Sequence, residues 1–399
     1  MKIDGKIYKL VLFKNNIETL GYFSEQMART FRELGYEVYM FDYNNSYQAI
    51  IDLIWFCEAG KTAMITFNFI GLGVEEEFFM NDGELFWNQR NVLCLNILVD
   101  HPFYYDKDFK NLPDNYKMFC IDKDHVEYVR RFYKEAKSVE FLPLAGTEIN
   151  VEDVPYNKRK YDIIFTGNYT PPNRFEKYIN RIDSEYAAFY WKIISELLTD
   201  TDMTMEQAMM EYLKLEMPDI SDQDMKTGMS AMIFIDLYVR FYFRGEVLKS
   251  LIDSGHVVHV FGRGWDMLEC KHSENLICHG SIESYECICH MKNAKISLNV
   301  MPWFKNGGHD RIFNTMLSKA VCVSDGSKYM DTQYKENEDY IRYSLARLDE
   351  LPGKIDEVLY HDDIAAQMAQ VGYNKTIQCH TWAHRACELA KWLNNVRVY

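Results

Sequence analysis

The sequence predicts an α/β protein made of two Rossmann-like, doubly wound domains in tandem. Short apolar runs alternate with amphipathic helical patterns along the first part of the chain, which is typical of a parallel sheet covered by helices. A polar stretch with one proline, residues 151–160, interrupts this pattern, which restarts at Tyr161. After the restart, glycine-containing loops follow the predicted strands. With 399 residues, the chain is long enough for two domains.

The first domain is predicted from strand–helix–strand units. Between its first two strands, Ser24 is a candidate helix cap and Gly35 is a typical helix stop. Met27, Phe31 and Leu34 recur between them at helical spacing. The strands predicted for this domain are Tyr8–Phe13, Glu37–Phe41, Ala63–Phe67, Val92–Val99, Met118–Ile121 and Val139–Leu142.

The second domain is predicted to contain a helical insertion. Its first strand is Tyr161–Thr166, and the stretch that follows, about 174–253, has helical patterns and is far longer than an ordinary crossover. The later strands are predicted at Val257–Phe261, Leu276–Cys278, Ile296–Val300 and Val321–Val323, and two helices at Ile364–Met368 and Trp382–Trp392. We therefore predict domains at 1–155 and 156–380, and a C-terminal helix within 381–399 that can pack back on the first domain.

Composition and charge exclude several classes of function. The net charge of -15 argues against nucleic acid or an anionic membrane as the main partner, because both select clustered Lys and Arg. No apolar run approaches the roughly 18 to 20 residues that span a bilayer, and the first residues do not resemble a signal peptide. The ten cysteines form no disulfide framework, and Cys and His are irregularly spaced between Cys270 and His290. We expect a cytoplasmic protein with no integral membrane segment, no cofactor and no bound metal.

The strongest local signal is the segment Asn306-Gly307-Gly308-His309-Asp310-Arg311, which precedes a helical pattern. Glycines let the backbone approach a ligand, and the N–H groups of a helix start favour phosphate. Arginine adds a bidentate fork for the same anion. A solvated loop and first turn could have the same sequence, so the neighbouring loops decide between a phosphate site and a solvated loop.

Three further loops with glycine follow strands at the same predicted sheet edge: Gly167-Asn168-Tyr169-Thr170, Gly262-Arg263-Gly264-Trp265 and Gly280-Ser281-Ile282. Together they predict a site for a nucleotide or a nucleotide-sugar.

A family resemblance rests on five motifs after Tyr161. They are Phe-Thr-Gly-Asn at 165–168, Val-Phe-Gly-Arg-Gly-Trp at 260–265, His279-Gly280 with Tyr285, Ala-Lys-Ile-Ser-Leu-Asn at 294–299, and Gly-His-Asp-Arg-Ile-Phe at 308–313. With these motifs the chain resembles the second domain of GT-B glycosyltransferases, in particular the group related to the spore-maturation protein CgeB. The resemblance implies two Rossmann-like domains facing a central cleft. It also implies a nucleotide-sugar donor bound by the second domain and a hydroxyl acceptor, on a protein, a glycan or a small molecule, bound by the first.

The same resemblance implies roles for the donor-site residues. The loop at 280–282 would lie near the base, and Tyr285 either contacts the ligand or is a core aromatic. His309 and Arg311 would contact ribose or pyrophosphate, with Arg263 as a second cation. Fixed positive groups stabilise a departing nucleoside diphosphate, so such enzymes can act without a divalent metal. The donor-site candidates are Gly167, Asn168, Arg263, Gly280, Ser281, Ile282, Tyr285, Gly307, Gly308, His309, Asp310, Arg311 and Asn314.

Two further features bear on mechanism. The retaining GT-B pattern has two glutamates eight positions apart, but the matching positions here are Asn306 and Asn314, so the anomeric outcome stays open. Asp325, after a later strand, either closes the phosphate site or caps backbone.

In the first domain, Asp100 and His101 follow the longest apolar run and are the candidates for the base that takes the acceptor proton. A loop in which Asp100 caps backbone and His101 is exposed is the alternative.

Two other functions remain compatible with the sequence. One is a nucleotide-sugar epimerase or hydrolase on the same scaffold, which needs no large acceptor site. The other is a non-catalytic nucleotide-sugar-binding or scaffolding module that works through the helical insertion.

Overall fold

The computed structural model describes residues 6–73, 79–81 and 83–395, and it divides the chain into two compact units. The first unit combines Met1–Ala145 with His380–Tyr399, and the second is Gly146–Cys379. Each unit contains one six-stranded sheet, and all strands paired in these two sheets are parallel. The predicted α/β class with two such sheets is therefore confirmed. No helix in the described ranges is long and apolar enough to cross a bilayer.

The first unit is built around a sheet whose central strands are buried on both faces, as in Thr62–Phe67 and Leu93–Leu98. Its elements in chain order are β1 (Lys9–Lys14), α1 (Glu18–Glu33), β2 (Glu37–Asp42), α2 (Ser46–Phe56), β3 (Thr62–Phe67), β4 (Met80–Asn81), β5 (Glu84–Leu85), α3 (Phe86–Gln89), β6 (Leu93–Leu98), β7 (Tyr116–Cys120), α4 (Lys123–Phe132) and β8 (Val139–Phe141). The sheet order is β2-β1-β3-β6-β7-β8, and β4 and β5 form a separate hairpin.

Helix α1 differs at its start from the prediction. It begins at Glu18, so Ser24 is not a cap but a buried residue inside the helix, and its Oγ donates to the carbonyl of Leu20 at 3.0 Å. The predicted end is confirmed, because Gly35 follows the helix with a φ of 88°, a conformation that glycine adopts without strain.

The second unit has a sheet of order β11-β10-β9-β12-β13-β14. These strands are β9 (Tyr161–Thr166), β10 (Val258–Phe261), β11 (Leu276–Cys278), β12 (Ala294–Asn299), β13 (Val321–Ser324) and β14 (Ile341–Arg342). Every strand that the sequence predicted in either unit is present with ends within two residues of the prediction, whereas the short strands β4, β5 and β14 were not predicted.

The predicted helical insertion is also present, between β9 and β10. It consists of α5 (Glu176–Ile179), α6 (Ser184–Thr199), α7 (Met205–Glu216), α8 (Asp222–Ser230) and α9 (Ile233–Asp253). The later helices of this unit are α10 (Ser284–Lys292), α11 (Asp310–Leu317), α12 (Lys328–Gln333), α13 (Leu351–Tyr360) and α14 (Asp362–Cys379).

The last helix, α15 (Trp382–Asn395), returns to the first unit. It packs on α1, where the ring centres of Phe23 and Trp382 are 4.4 Å apart. The indole also meets Phe67 of β3 edge-to-face. The first unit is thus assembled from both ends of the described chain.

Candidate functional site

The loops predicted to bind a ligand follow one edge of the second sheet. Strands β9 and β12 are neighbours in the sheet, although β10 and β11 lie between them in the sequence. The strand order therefore reverses between β9 and β12. In open parallel sheets, ligands bind beyond the carboxyl ends of the strands at this reversal point. Because the paired strands are parallel, the loops at 167–170, 262–265 and 280–282 and the segment 306–311 all follow carboxyl ends at this edge.

Arg311 lies at the reversal point itself. This second residue of α11 is 6% exposed. Its Nε donates to the carbonyl oxygen of Thr166 at 2.6 Å, and its Nη1 donates to Oδ1 of Asn299 at 2.8 Å. Thr166 ends β9 and Asn299 ends β12, so the guanidinium joins the two strands. Its carbon lies 4.8 Å from the ring centre of Phe165, and its Nη2 has no hydrogen-bond partner within the described ranges.

Glycine is required at two positions beside this guanidinium. Gly167 has a φ of 144°, and a Cβ there would lie 3.0 Å from Nη2 of Arg311. Gly262 has a φ of 151°, and a Cβ there would lie 2.1 Å from the carbonyl oxygen of Gly167. L side chains rarely adopt this backbone conformation. A side chain at either position would therefore displace the adjacent loop or the guanidinium.

His309 and Asp310 form the start of α11. His309 is the N-cap residue, and its Nδ1 lies 3.2 Å from the backbone nitrogen of Arg311 and 2.8 Å from Oδ1 of Asp310. Burial, and then the charge of Arg311, hold the pKa of His309 below its ordinary value. Burial alone raises the pKa of Asp310, but the contacts with His309 and Arg311 outweigh it and lower the pKa. The pair therefore sits in a positive environment.

The remaining candidates in this segment are engaged within the protein. Gly307 and Gly308 are both buried. Asn314 is 7% exposed; its Oδ1 accepts a hydrogen bond from the backbone N–H of Thr147 at 2.8 Å, and its Nδ2 donates to Oδ2 of Asp310 at 3.1 Å. The Oδ1 contact thus attaches α11 to Thr147, and the Nδ2 contact lies within the helix.

The candidates on the outer loops are accessible. Asn168, Arg263, Gly280 and Ser281 are exposed, and Oδ1 of Asn168 accepts from the backbone N–H of Arg263 at 2.9 Å. Tyr285, on α10, is 49% exposed and is therefore not a core aromatic. Ile282 is partly buried against an apolar cluster that includes Tyr161, Phe261 and Met291.

Asp325 follows β13 and caps backbone. Both of its carboxylate oxygens accept from the N–H of Met301, at 3.0 and 3.1 Å. Burial raises the pKa of Asp325 to about 6. The side chain also lines a polar cavity of about 530 Å³ together with Lys305, Arg342 and Lys354.

Arg244 is a cation at the same edge that was not among the predicted site residues. It belongs to α9, the last helix of the insertion, and it is 7% exposed. Its Nη1 donates to the carbonyl oxygen of Asn168 at 2.5 Å. Burial, and then the nearby Arg311 and Arg240, hold its pKa well below the ordinary value. The edge therefore has a second buried guanidinium besides that of Arg311.

The sequence does contain a signal for this residue. Arg240 and Arg244 are one helical turn apart, the run Phe241–Phe243 between them is entirely aromatic, and Gly245 follows. A Cβ at Gly245 would lie 3.1 Å from the ring of Tyr169, so this glycine lets the helix approach the loop after β9. Arginine is rarely buried unless it is paired, so two arginines on either side of an aromatic run indicate a functional or structural partner.

In the first unit, Asp100 and His101 follow β6. Asp100 is half-buried, and its Oδ2 accepts from Nδ2 of Asn68 at 3.0 Å and from the hydroxyl of Tyr105 at 3.3 Å. His101 is 5% exposed, and its Nδ1 accepts from the backbone N–H of Phe103 at 3.3 Å as the cap of a one-turn helix. Its ring centre lies 4.0 Å from that of Phe103. The exposed histidine of the alternative interpretation is thus not found, and the carboxylate is the more accessible group of the two.

The part of the chain that the structure describes has no group of three His, Cys, Asp or Glu residues able to hold a metal ion. In the segment rich in Cys and His, Nε2 of His279 forms a hydrogen bond with Nδ1 of His259 at 2.9 Å. The ring of His279 also stacks on Phe261, with centres 4.4 Å apart.

Part of the chain is similar to a known sequence family. Residues 244–391 match the model of a family described as glycosyl transferase-like. The match begins at Arg244 in the insertion and extends into α15. A search of curated protein sequences gave no match.

Comparison with solved structures identifies the fold. The alpha-glucosyltransferase AGT in complex with UDP has a TM-score of 0.58 and 8% identity over 96% of this chain and 99% of its own. T4 phage BGT in complex with UDP and Mn²⁺ has a TM-score of 0.54 and 11% identity over 97% and 100%. TarM has a TM-score of 0.43 and 12% identity over 77% of this chain, and the match covers 55% of the TarM chain. At such identities the likeness is one of fold, and the chain has the two-domain α/β fold of GT-B glycosyltransferases.

Proposed function

We propose that this protein is a glycosyltransferase that moves a sugar from a nucleoside-diphosphate donor to a hydroxyl acceptor. The donor diphosphate binds to the second unit, at the reversal point between β9 and β12. The GT-B fold, the family match over 244–391 and the presence of UDP in two similar structures support this proposal. A protein, a glycan and a small molecule all fit as the source of the hydroxyl.

The observation that carries the proposal is the position of Arg311. A buried guanidinium joins the ends of the two strands at which this class of sheet binds ligands, and its Nη2 is not engaged by the described residues. The adjacent Gly167 removes the side chain that would otherwise cover it. The Nη2 group suits an oxygen of a diphosphate, because a hydrogen bond from a guanidinium to phosphate is strengthened by charge.

The chemistry assigns one task to each group. The acceptor oxygen forms a bond to the anomeric carbon, the bond from that carbon to the diphosphate oxygen breaks, and its electrons leave with the diphosphate. The acceptor proton goes to a base, and we propose Asp100 for this task because its carboxylate follows a strand end and is partly accessible. The burial of His101 fits packing and capping better than proton transfer. A displacement assisted by one base inverts the anomeric carbon, so the configuration of the product tests this assignment.

We also propose that arginine, and not a divalent metal, offsets the charge of the leaving diphosphate. Preorganised positive groups stabilise developing charge without reorganisation. One similar structure contains Mn²⁺ as well as UDP, so the metal has to be tested directly. Turnover that is unchanged by EDTA supports the proposal, and turnover that is lost with EDTA and restored by Mn²⁺ contradicts it.

The experiment is a thermal-shift screen of nucleoside-diphosphate sugars, followed by turnover of any donor that binds. A true donor raises the melting temperature by mass action. Release of the nucleoside diphosphate only when a hydroxyl acceptor is present supports a transferase. Release or isomerisation with donor alone indicates a hydrolase or an epimerase, and binding without turnover under any condition indicates a non-catalytic module.

A further inference from the structure

Arg244, in the helical insertion, is a buried cation without a counter-charge. Its Nε is buried and has no hydrogen-bond partner among the described residues, and only Nη1 has an acceptor, the carbonyl oxygen of Asn168. No carboxylate in the described ranges forms an ion pair with it, and the charges that act on it most strongly are those of two other arginines, Arg311 and Arg240. Burying an ion without a partner is unfavourable by several kcal/mol.

Arg244 and Arg311 lie close to the same side chain, Phe165. Its guanidinium carbon lies 5.6 Å from the ring centre of Phe165, and that of Arg311 lies 4.8 Å from the centre of the same ring. Phe165 precedes the last residue of β9. Two buried guanidinium groups therefore flank one side chain at the reversal point of the sheet.

Arg240, one turn earlier on α9, differs from Arg244 because it has a carboxylate partner. Its Nη2 forms an ion pair with Oδ2 of Asp236 at 2.8 Å, and its guanidinium carbon lies 4.3 Å from the ring centre of Trp303. This cation is therefore already neutralised by a carboxylate of its own helix. Arg244 contributes the net positive charge that α9 brings to the site.

Arg159 shows how a buried arginine of the same unit is held when it is structural. It is 9% exposed, and its three donor groups reach the backbone carbonyls of Val154, Ala294 and Ser318. Arg159 is thus satisfied by the protein alone, whereas Arg244 has a single acceptor. The contrast indicates that the missing partner of Arg244 is a ligand with negative charge.

We propose that the helical insertion completes the donor site, with Arg244 as the second arginine that binds the nucleoside diphosphate beside Arg311. This inference rests on the proposed function, because it concerns the same ligand. The insertion is then part of the donor-binding machinery and not only a helical addition to the sheet. As the bond to the sugar breaks, Arg244 faces the charge that gathers on the departing diphosphate and stabilises it.

The test compares Arg244→Met, Arg244→Lys and the control Arg159→Met in the full chain. UDP, GDP and inorganic pyrophosphate serve as ligands, with affinities measured by titration calorimetry and stabilities by thermal melting. Loss of a charged hydrogen-bond donor to phosphate is expected to weaken binding about tenfold or more in Arg244→Met. Arg244→Lys keeps the charge without the planar fork, so an intermediate affinity is expected.

Stability separates a ligand-binding role from a structural one. Without ligand, Arg244→Met is expected to melt at or above the wild-type temperature, because the substitution removes an unpaired buried charge. Arg159→Met is expected to melt lower and to keep wild-type affinity for every ligand, since it leaves three carbonyls without their donor. A ligand-free Arg244→Met that melts as low as Arg159→Met would assign Arg244 a structural role and overturn the inference.

The two proposals fail in different ways. A wild-type chain that binds none of the three ligands overturns the proposed function and this inference with it. If the wild-type chain binds them, and Arg244→Met and Arg244→Lys both bind with the wild-type affinity, only the inference about the insertion is overturned. If Arg244→Met does not fold, Arg244→Lys alone decides, because wild-type affinity and turnover in that variant contradict a bidentate role.

Discussion

The two sheets of this protein share strand number and direction, but their reversal points differ in what occupies them. In the first unit the reversal lies between β1 and β3, where Phe13, Thr66 and Phe67 border a cavity of only about 10 Å³. In the second unit it lies between β9 and β12, where the guanidinium of Arg311 joins the strand ends next to Gly167. The first reversal point is thus bordered by bulky side chains, whereas the second has a glycine beside a buried guanidinium.

The cations at the two sheet edges also differ in whether a carboxylate neutralises them. Lys14, at the end of β1, forms an ion pair with Asp42 at 3.2 Å, so the first unit neutralises its cation internally. Arg244 in the second unit has no carboxylate partner within the described ranges. The first unit instead has a half-buried carboxylate, Asp100, that accepts from Asn68 and Tyr105. The comparison agrees with our proposal that the second unit binds the diphosphate and that the first unit provides the base.

The largest effect is expected from Asp100→Asn, which tests the first unit. Because a general base contributes about 10²- to 10⁴-fold to the rate, transfer should fall by that factor while nucleoside-diphosphate affinity stays unchanged. Initial rates at saturating donor and calorimetric titration measure the two quantities. The exposed Asp114→Asn is the control in the same unit and should have wild-type rates. Equal rates in both variants would exclude Asp100 as the base.

The next effect is expected from Arg311→Ala, which tests the second unit. Affinity for nucleoside diphosphates should fall by about 10- to 100-fold, because a charged donor to phosphate is lost. Calorimetric titration of UDP and GDP measures the loss. Arg347→Ala removes an exposed arginine that pairs with Glu350 on the same unit, and it should bind normally. A folded Arg311→Ala protein with wild-type affinity would contradict the assignment of the reversal point.

Gly262→Ala is expected to change stability rather than binding. The new Cβ would lie 2.1 Å from the carbonyl oxygen of Gly167, so we expect a loss of roughly 2 to 5 kcal/mol from steric overlap and backbone strain. Gly280→Ala is the matched control, because its φ is 76° and its Cβ meets no atom within 4 Å. Backbone strain alone should cost about 1 to 2 kcal/mol there. Similar melting temperatures for the two variants would mean that the loops after β9 and β10 are not closely packed.

The smallest effect is expected from Asp325→Asn, and it depends on pH. Burial raises the pKa of Asp325 to about 6, from the ordinary value of 3.8. A carboxyl group with a raised pKa in the fold stabilises it while protonated, and this contribution is lost as pH rises through about 6. Asparagine resembles the protonated form and can still accept from Met301. The variant should therefore melt a few degrees above the wild type at pH 8 and equal to it near pH 4, whereas parallel curves would contradict the raised pKa.

The fold could be predicted from the sequence because its strands are continuous apolar runs. Leu93–Leu98 is buried throughout, and such a run is compatible with few other structures when helical patterns flank it. The start of α1 was predicted wrongly because Ser24 has the chemistry of a cap, although the helix continues back to Glu18. Local chemistry thus competed with the packing of Leu20 and Phe23, which decided the boundary.

The candidate site was predictable only in part. Gly167 could be named because a glycine after a strand lets the backbone approach a ligand, and Arg311 because an arginine at a helix start adds donors for phosphate. Arg244 could not be placed, because its position depends on how α9 packs against the loop after β9, a contact between residues far apart in sequence. Asn314 illustrates the reverse case: its proximity to the site was predicted, but its amide is used to hold Thr147 and Asp310.

The return of α15 to the first unit has a consequence for the order of biosynthesis. A ribosome completes the entire second unit before it makes Trp382, the residue that covers Phe23 of α1. During that interval the nascent first unit lacks the helix that packs on α1 in the complete fold. Domains generally fold as units while the chain is still being made, so the second unit can be complete while the first still waits for its final helix.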